Sequence, residues 1–121
     1  MNIVLLTTDL TVVSRVEGVA KLIGAEVHVV SNAASALTDC SDASAKALIV
    51  DLSTPALDLE SIQKLAAAPG RSLQIAAFGP HVHEDRLAAA RAAGCDLVLS
   101  RGQFFRDIGE VISKCVIETP H

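Results

Sequence analysis

The chain has 121 residues and a formal net charge of −4; 50% of it is apolar, yet its only aromatic residues are three Phe. A length of this order is read as one domain, residues 1–121, able to bury roughly two-thirds of the surface its unfolded chain exposes, with no need of a metal or disulfide to fold. The acidic balance, with no basic run, excludes nucleic acid as a partner, and no apolar run approaches bilayer length.

The N-terminus, M-N-I-V-L-L-T-T-D, has neither a basic region nor a small-residue cleavage site. It reads as a strand rather than a signal peptide, and the cytoplasm is the expected compartment. Cys40, Cys95 and Cys115 are odd in number and far apart. They read as small buried hydrophobes in a reducing compartment, with no CxxC and no zinc-finger spacing.

In chain order, residues 2–7 form the first predicted strand, with Ile3, Val4, Leu5 and Leu6 as its buried run. Asp9 or Thr11 can cap the helix that follows. Val12, Val16, Val19, Leu22 and Ile23 recur at helical spacing up to Gly24, where a left-handed cap is wanted. Residues 26–31, E-V-H-V-V-S, are a partly polar strand suited to a sheet edge. Asn32 caps a short Ala-rich helix to about Cys40, and residues 41–46 are a polar loop.

Residues 47–52 form the third strand. Its apolar run, A-L-I-V, ends at Asp51, and Pro55 follows four residues on. So short an apolar run between breakers reads as a strand buried on both faces. Asp58 is the expected N-cap of a third helix, with Leu59, Ile62, Leu65 and Ala66 facing inward, ended by Pro69-Gly70. Residues 73–78 are the fourth strand, stopped by Gly79-Pro80. A fourth helix spans 83–93 and closes at Gly94. The fifth strand lies within 96–100. A last helix spans 103–116, with Phe104, Ile108, Val111 and Ile112 inward, and 117–121 are read as a frayed tail.

Five strand–helix units with short right-handed connections give a parallel sheet with helices on both faces. The flavodoxin-like order 2-1-3-4-5 suits five strands best. It sets strands one and three side by side, so that Thr7, Thr8, Asp9 and Asp51 share a crevice flanked by Gly79 and Arg101.

On these residues the chain resembles the receiver domain of bacterial response regulators over nearly its whole length. Asp51 with Pro55 resembles the family's phospho-accepting aspartate and the loop after it. Gly24 falls where the family ends its first helix. Ala93-Gly94-Cys95-Asp96, then Leu97 through Arg101, resembles the family's segment leading into strand five and its lysine. The resemblance implies two-component signalling, with Asp51 as phospho-acceptor candidate and a histidine kinase or output domain as protein partner. It also implies contact, and homodimerisation, through helix four, strand five and helix five.

The chain departs from that family at the other site positions. The family's acidic pair at the end of strand one is Thr7 and Thr8 here. Its Thr or Ser at the end of strand four is Gly79, its Lys–Pro after strand five is Arg101-Gly102, and its strand-five aromatic is Val98. Phosphoryl transfer to a carboxylate needs a divalent cation, and magnesium wants carboxylate oxygens in an octahedral shell. Asp51 and Asp9 are the only candidate ligands here, and Asp9 is one residue too late to match the pair. No cofactor is therefore expected, and magnesium is doubtful. With no metal to compete, the guanidinium of Arg101 is expected to hold Asp51 in a standing ion pair.

The structural readings compete at each position. Asp51 serves equally as a carboxylate capping the turn after it, and Thr7 and Thr8 as turn-stabilising hydroxyls. His81 and His83, two apart beside Gly79-Pro80, have no third ligand in view. The expectation is a receiver-like module that works by protein–protein interaction, not an enzyme, with phosphorylation of Asp51 vestigial. An active magnesium-dependent aspartyl-phosphate receiver is the first alternative. A flavodoxin-like small-molecule binder is the second; T-T-D-L-T lacks a glycine to cradle phosphate. A hydrolase has no G-x-S-x-G elbow to stand on.

Overall fold

The computed structural model describes residues 2–41 and 45–117, with side chains to Cys115. The elements are β1 (Asn2–Leu6), α1 (Leu10–Ile23), β2 (Glu26–Val30), α2 (Ala33–Cys40), β3 (Ala45–Asp51), α3 (Leu59–Ala66), β4 (Gln74–Gly79), α4 (Glu84–Ala92), β5 (Leu97–Ser100), α5 (Arg101–Arg106) and α6 (Ile108–Ile117). The five strands form one sheet in the order β2-β1-β3-β4-β5, every pair parallel. This is the predicted order, and it makes β1 and β3 neighbours, with Leu6 beside Val50.

Period-two alternation along the central strands feeds two cores. Val4, Leu6, Leu48, Val50, Ile75 and Ala77 face one way, against Ala36 of α2, Ile62 of α3 and Leu87 of α4. Ile3, Leu5, Ile49 and Phe78 face the other, against Val12 and Val16 of α1 and Phe104, Val111 and Ile112 beyond β5. All three Phe meet in the second core. Phe78 and Phe104 stack with centroids 4.0 Å apart, and Phe105 stands edge-on to Phe104 at 5.6 Å.

Helix boundaries follow their caps. Asp9 accepts from the Thr11 amide, Asn32 from Ser35, and Asp58 from Glu60. Gly24 closes α1 in the left-handed conformation, φ +75°. Four expectations are corrected. The final helix is two helices: a capping box between Ser100 and Gln103 starts α5 at Arg101, and Asp107 ends it before α6 begins. Strand three begins inside the expected polar loop, at Ala45. His83 is the position before α4 rather than part of it, and makes no side-chain cap. Leu22, placed by its spacing on the buried face of α1, is 86% exposed, whereas Val12, Val16 and Ala20 are buried. The expected tail lies beyond α6 in residues 118–121, outside the described residues.

At the other end of the sheet a charged clamp ties α3, β4 and β5 together. Arg71 meets Asp96 through two hydrogen bonds, of 2.6 and 3.1 Å. Its guanidinium also donates to the carbonyls of Ala66 and Leu73, while the Ile75 amide donates to Asp96 at 2.8 Å. No helix among the described residues is long and apolar enough to cross a membrane.

Candidate functional site

Asp51 is the last residue of β3, and its side chain is buried, only 2% exposed. A buried carboxylate must find donors. Its Oδ2 accepts from the Thr7 hydroxyl at 2.7 Å, and its Oδ1 from the Ser53 amide at 3.0 Å. Its carbonyl takes the turn that follows, accepting from the Thr54 amide at 3.0 Å and the Thr54 hydroxyl at 2.7 Å. The adjacency of β1 and β3 brings Thr7 to Asp51 across 44 residues of sequence. Thr7 is itself buried, and its oxygen also accepts from the Asp9 amide at 3.0 Å. That contact orients the chain as it enters α1. Thr8 is exposed.

The expected Asp51–Arg101 ion pair is not formed; Arg101 reaches Asp9 instead, with Nη2 to Oδ2 at 2.9 Å. Because Arg101 opens α5 rather than ending β5, its side chain leaves over the start of α1. There its Cζ lies 5.0 Å from the centre of the Phe105 ring. Arg15 of α1 also lies 5.1 Å from that ring and donates to the Phe105 carbonyl at 3.3 Å. Two guanidiniums thus share one aromatic ring, a favourable cation–π arrangement. The Arg101 hydrogen bond, then the Thr11 amide, hold the Asp9 carboxyl below its ordinary value.

Gly79 ends β4 and is buried. A Cβ added there would stand 3.1 Å from the Cβ of Leu52, the residue after Asp51. Leu52 occupies the space that a side chain at position 79 would need, so the missing hydroxyl is matched by packing. Leu52 also donates its amide to the Phe78 carbonyl at 2.8 Å, which extends β3 pairing past Asp51.

Magnesium takes hard, anionic oxygens in a near-octahedral shell. Each Asp51 oxygen already holds a donor, the Thr7 oxygen is engaged on both sides, and Asp9 carries a fixed cation on one oxygen and an amide on the other. Among the described residues no group of three or more acidic, histidine or cysteine side chains could hold a metal ion. The set as arranged does not fit the ion. His81 and His83 both lie on an exposed stretch before α4.

The structure therefore joins Thr7, Asp9, Asp51 and Arg101 in one crevice at the carboxyl ends of the strands, but as two linked pairs: Thr7 with Asp51, and Asp9 with Arg101. Ser53, Arg15 and Phe105 were not foreseen. Ser53 had a readable signal, since an Asp two residues ahead is an Asx-turn pattern. Arg15 and Phe105 are 90 residues apart and had none. Cys40 and Cys115 are buried. Burial, and the negative charge of Asp96, push the Cys95 thiol up to about 11, far from a nucleophile's range.

Solved structures share this architecture closely. The receiver domain of a sensor histidine kinase from Pseudomonas aeruginosa, solved with a magnesium ion coordinated in its active-site cleft, superposes with a TM-score of 0.79 at 17% identity, over 97% of this chain and 98% of that one. A CheY-like response-regulator receiver from Methanospirillum hungatei gives 0.77 at 16%, over 96% and 93%. The NtrX receiver domain from Brucella abortus gives 0.77 at 14%, over 97% and 99%. The chain has the receiver fold. No family model and no curated protein sequence matches it. At these identities the likeness concerns the backbone, and the receiver fold here carries a crevice of its own composition.

Proposed function

We propose that this chain is a receiver-like signalling module of the two-component type that acts by binding another protein, with aspartyl phosphorylation at Asp51 lost. One observation carries the reading: both oxygens of Asp51 are held, by Thr7 and Ser53, and Asp9, the other acid the crevice gathers among the described residues, is neutralised by Arg101. A phospho-acceptor needs an oxygen free to attack in line, and cations placed to take up the developing charge. Here the carboxylate works instead as a structural acceptor that fixes the β3–α3 turn. The Asp9–Arg101 pair spans the crevice from α1 to α5. Within the crevice Arg101 thus neutralises Asp9, while Asp51 is held by neutral donors.

The partner is a protein of the kind receivers work with, a histidine kinase or an output domain. An NtrX structure from Brucella abortus, 27% of whose chain is matched, carries this fold within a longer chain. The face made by α4, β5 and the last helical stretch, α5 with α6 as far as Lys114, is the surface that the receiver resemblance assigns to that partner.

The test is acetyl phosphate with magnesium, and separately beryllofluoride with magnesium, followed by intact mass and by amide chemical shifts. The expected result is no covalent adduct and no saturable shift at the amides of Asp9, Asp51 and Ser53. A phosphoryl adduct that disappears in Asp51→Asn, or saturable millimolar magnesium binding at those amides, overturns the reading and restores an active receiver.

A further inference from the structure

The turn that follows Asp51 also borders a space of its own. With Arg86 of α4 it lines an open cavity of about 350 Å³, at the small end of the roughly 300–1,000 Å³ of small-molecule sites. Leu52, Pro55, Leu57 and Leu59 give this cavity its apolar wall, and Ser53 and Arg86 bring polar groups to it. Leu57 and Leu59 are only partly buried, packed against the core on that side of the sheet. Ala56, in the same lining, is the one non-glycine residue with a positive φ among the described residues, at +55°. Such a conformation persists only where the surrounding structure fixes it, and it is enriched beside ligands and functional loops.

Arg86 is the one ionised side chain in that lining. Arg71, Arg91, Arg101 and Arg106 each hold a carboxylate, and Arg15 lies on the Phe105 ring. Arg86 has neither kind of partner among the described residues. Its guanidinium makes one long hydrogen bond there, 3.4 Å to the Leu52 carbonyl. Glu84 is taken by Arg91, and Asp85 stands about 100° around α4 from Arg86. An exposed arginine without an acid is ordinary on a surface. This one borders a hollow that no acid lines, in a chain of net charge −4. The Ser53 hydroxyl and the amides of Ala56 and Leu57 also have no hydrogen-bond partner among the described residues. The lining thus combines spare donors, one positive charge and an apolar wall.

We propose that this cavity binds a small carboxylic acid, in its ionised form, with a short apolar body. The planar guanidinium of Arg86 takes the carboxylate through parallel hydrogen bonds, and the Ser53 hydroxyl donates another. The body lies against Pro55, Leu57 and Leu59. A carboxylate suits the site better than a phosphate, because the apolar wall would strip water from a more strongly charged group without replacing it. The bound acid ties the turn after Asp51 to α4, which the long Arg86–Leu52 bond alone joins only weakly. Nothing in this site requires phosphorylation to be lost, and a phosphoryl adduct at Asp51 leaves it standing.

Titration of the full chain with sodium hexanoate at neutral pH, followed by backbone amide and arginine side-chain shifts, tests it. The expected result is a set of saturable shifts at Ser53, Ala56, Leu57 and the Arg86 Nε–H, with Kd on the order of 1 mM. Acetate, which has the charge without the body, binds at least about fivefold more weakly. Hexanamide, which has the body without the charge, gives no saturable shift. Arg86→Gln weakens hexanoate at least about tenfold with unchanged circular dichroism, because the side chain is exposed and outside the core. The absence of a saturable hexanoate shift up to about 20 mM overturns the proposal. So do shifts that persist in Arg86→Gln. Inorganic phosphate binding as tightly as hexanoate also overturns it, since that marks a surface arginine collecting counter-ions.

Discussion

Thr7 donates its hydroxyl to Asp51 at 2.7 Å, and both residues are 98% shielded from solvent. With the Ser53 amide on the other oxygen, that bond satisfies a buried carboxylate that has no cation of its own. It makes Thr7 a structural residue. In Thr7→Val the shape is kept, the hydroxyl is lost, and one oxygen of Asp51 is buried without a donor. Leaving a buried charged acceptor unsatisfied costs about 2 kcal/mol. Urea unfolding should show a loss of this size for Thr7→Val, with Thr7→Ser retaining most of the stability.

Arg101 sets the ionisation of Asp9. Its hydrogen bond is the largest influence on that carboxyl and lowers its pKa, with the Thr11 amide adding to the effect. In Arg101→Gln the Asp9 carboxyl should titrate higher, toward the ordinary range, as followed by side-chain carboxyl carbon shifts. The pair is present above the ordinary carboxylate pKa and comes apart as pH falls through the lowered one. The same variant should shift the Phe105 ring proton signals, because one of the two cations on that ring is gone.

Asp96 contributes to the acid sensitivity of the fold. Burial alone would raise its pKa, but the Arg71 hydrogen bonds and the Ile75 amide outweigh it, and the net shift is downward. A carboxyl with a folded pKa below its unfolded value contributes stability that is complete above the unfolded pKa, about 4. That contribution is lost as pH falls through the folded one. Asp96→Asn should therefore cost about 2 kcal/mol at neutral pH and flatten the decline in stability below about pH 4. Unfolding curves at a series of pH values check both.

Gly94 cannot be replaced, for two reasons that separate experimentally. Its φ is +98°, and a Cβ there would stand 2.9 Å from the Cβ of Ala66 at the end of α3. Gly24 has φ +75° with nothing within 4 Å of the same position. Gly24→Ala pays only for the left-handed backbone, about 1 kcal/mol. Gly94→Ala adds a clash between two helix ends and should cost at least about 2 kcal/mol. The difference between the two melts measures the α3–α4 contact.

Much of the architecture was legible because it rests on local patterns. The runs around Leu5, Ile49 and Ala76 mark buried strands, Asp9, Asn32 and Asp58 mark helix starts, and Gly24 and Gly94 mark helix ends. Short connections between these elements leave few topologies, and the predicted order is the observed one. Leu22 was misassigned because positions 19, 22 and 23 fit helical spacing on either side of the true inward direction, and only the packed sheet chooses between them. The split at Asp107 was missed because Phe104, Ile108, Val111 and Ile112 keep their spacing across the break.

By itself, then, the sequence determined which segments are strands and helices, and that Thr7, Asp9, Asp51 and Arg101 end at one edge of the sheet. It also determined that few acids would gather there. Pairing within that edge was decided by the tertiary structure alone. A guanidinium extends several ångströms on rotatable bonds, so a shift of Arg101 from the end of a strand to the first turn of a helix changes which carboxylate it can reach. Composition at a site is a property of the chain; who bonds to whom depends on direction and distance, which only the folded backbone sets.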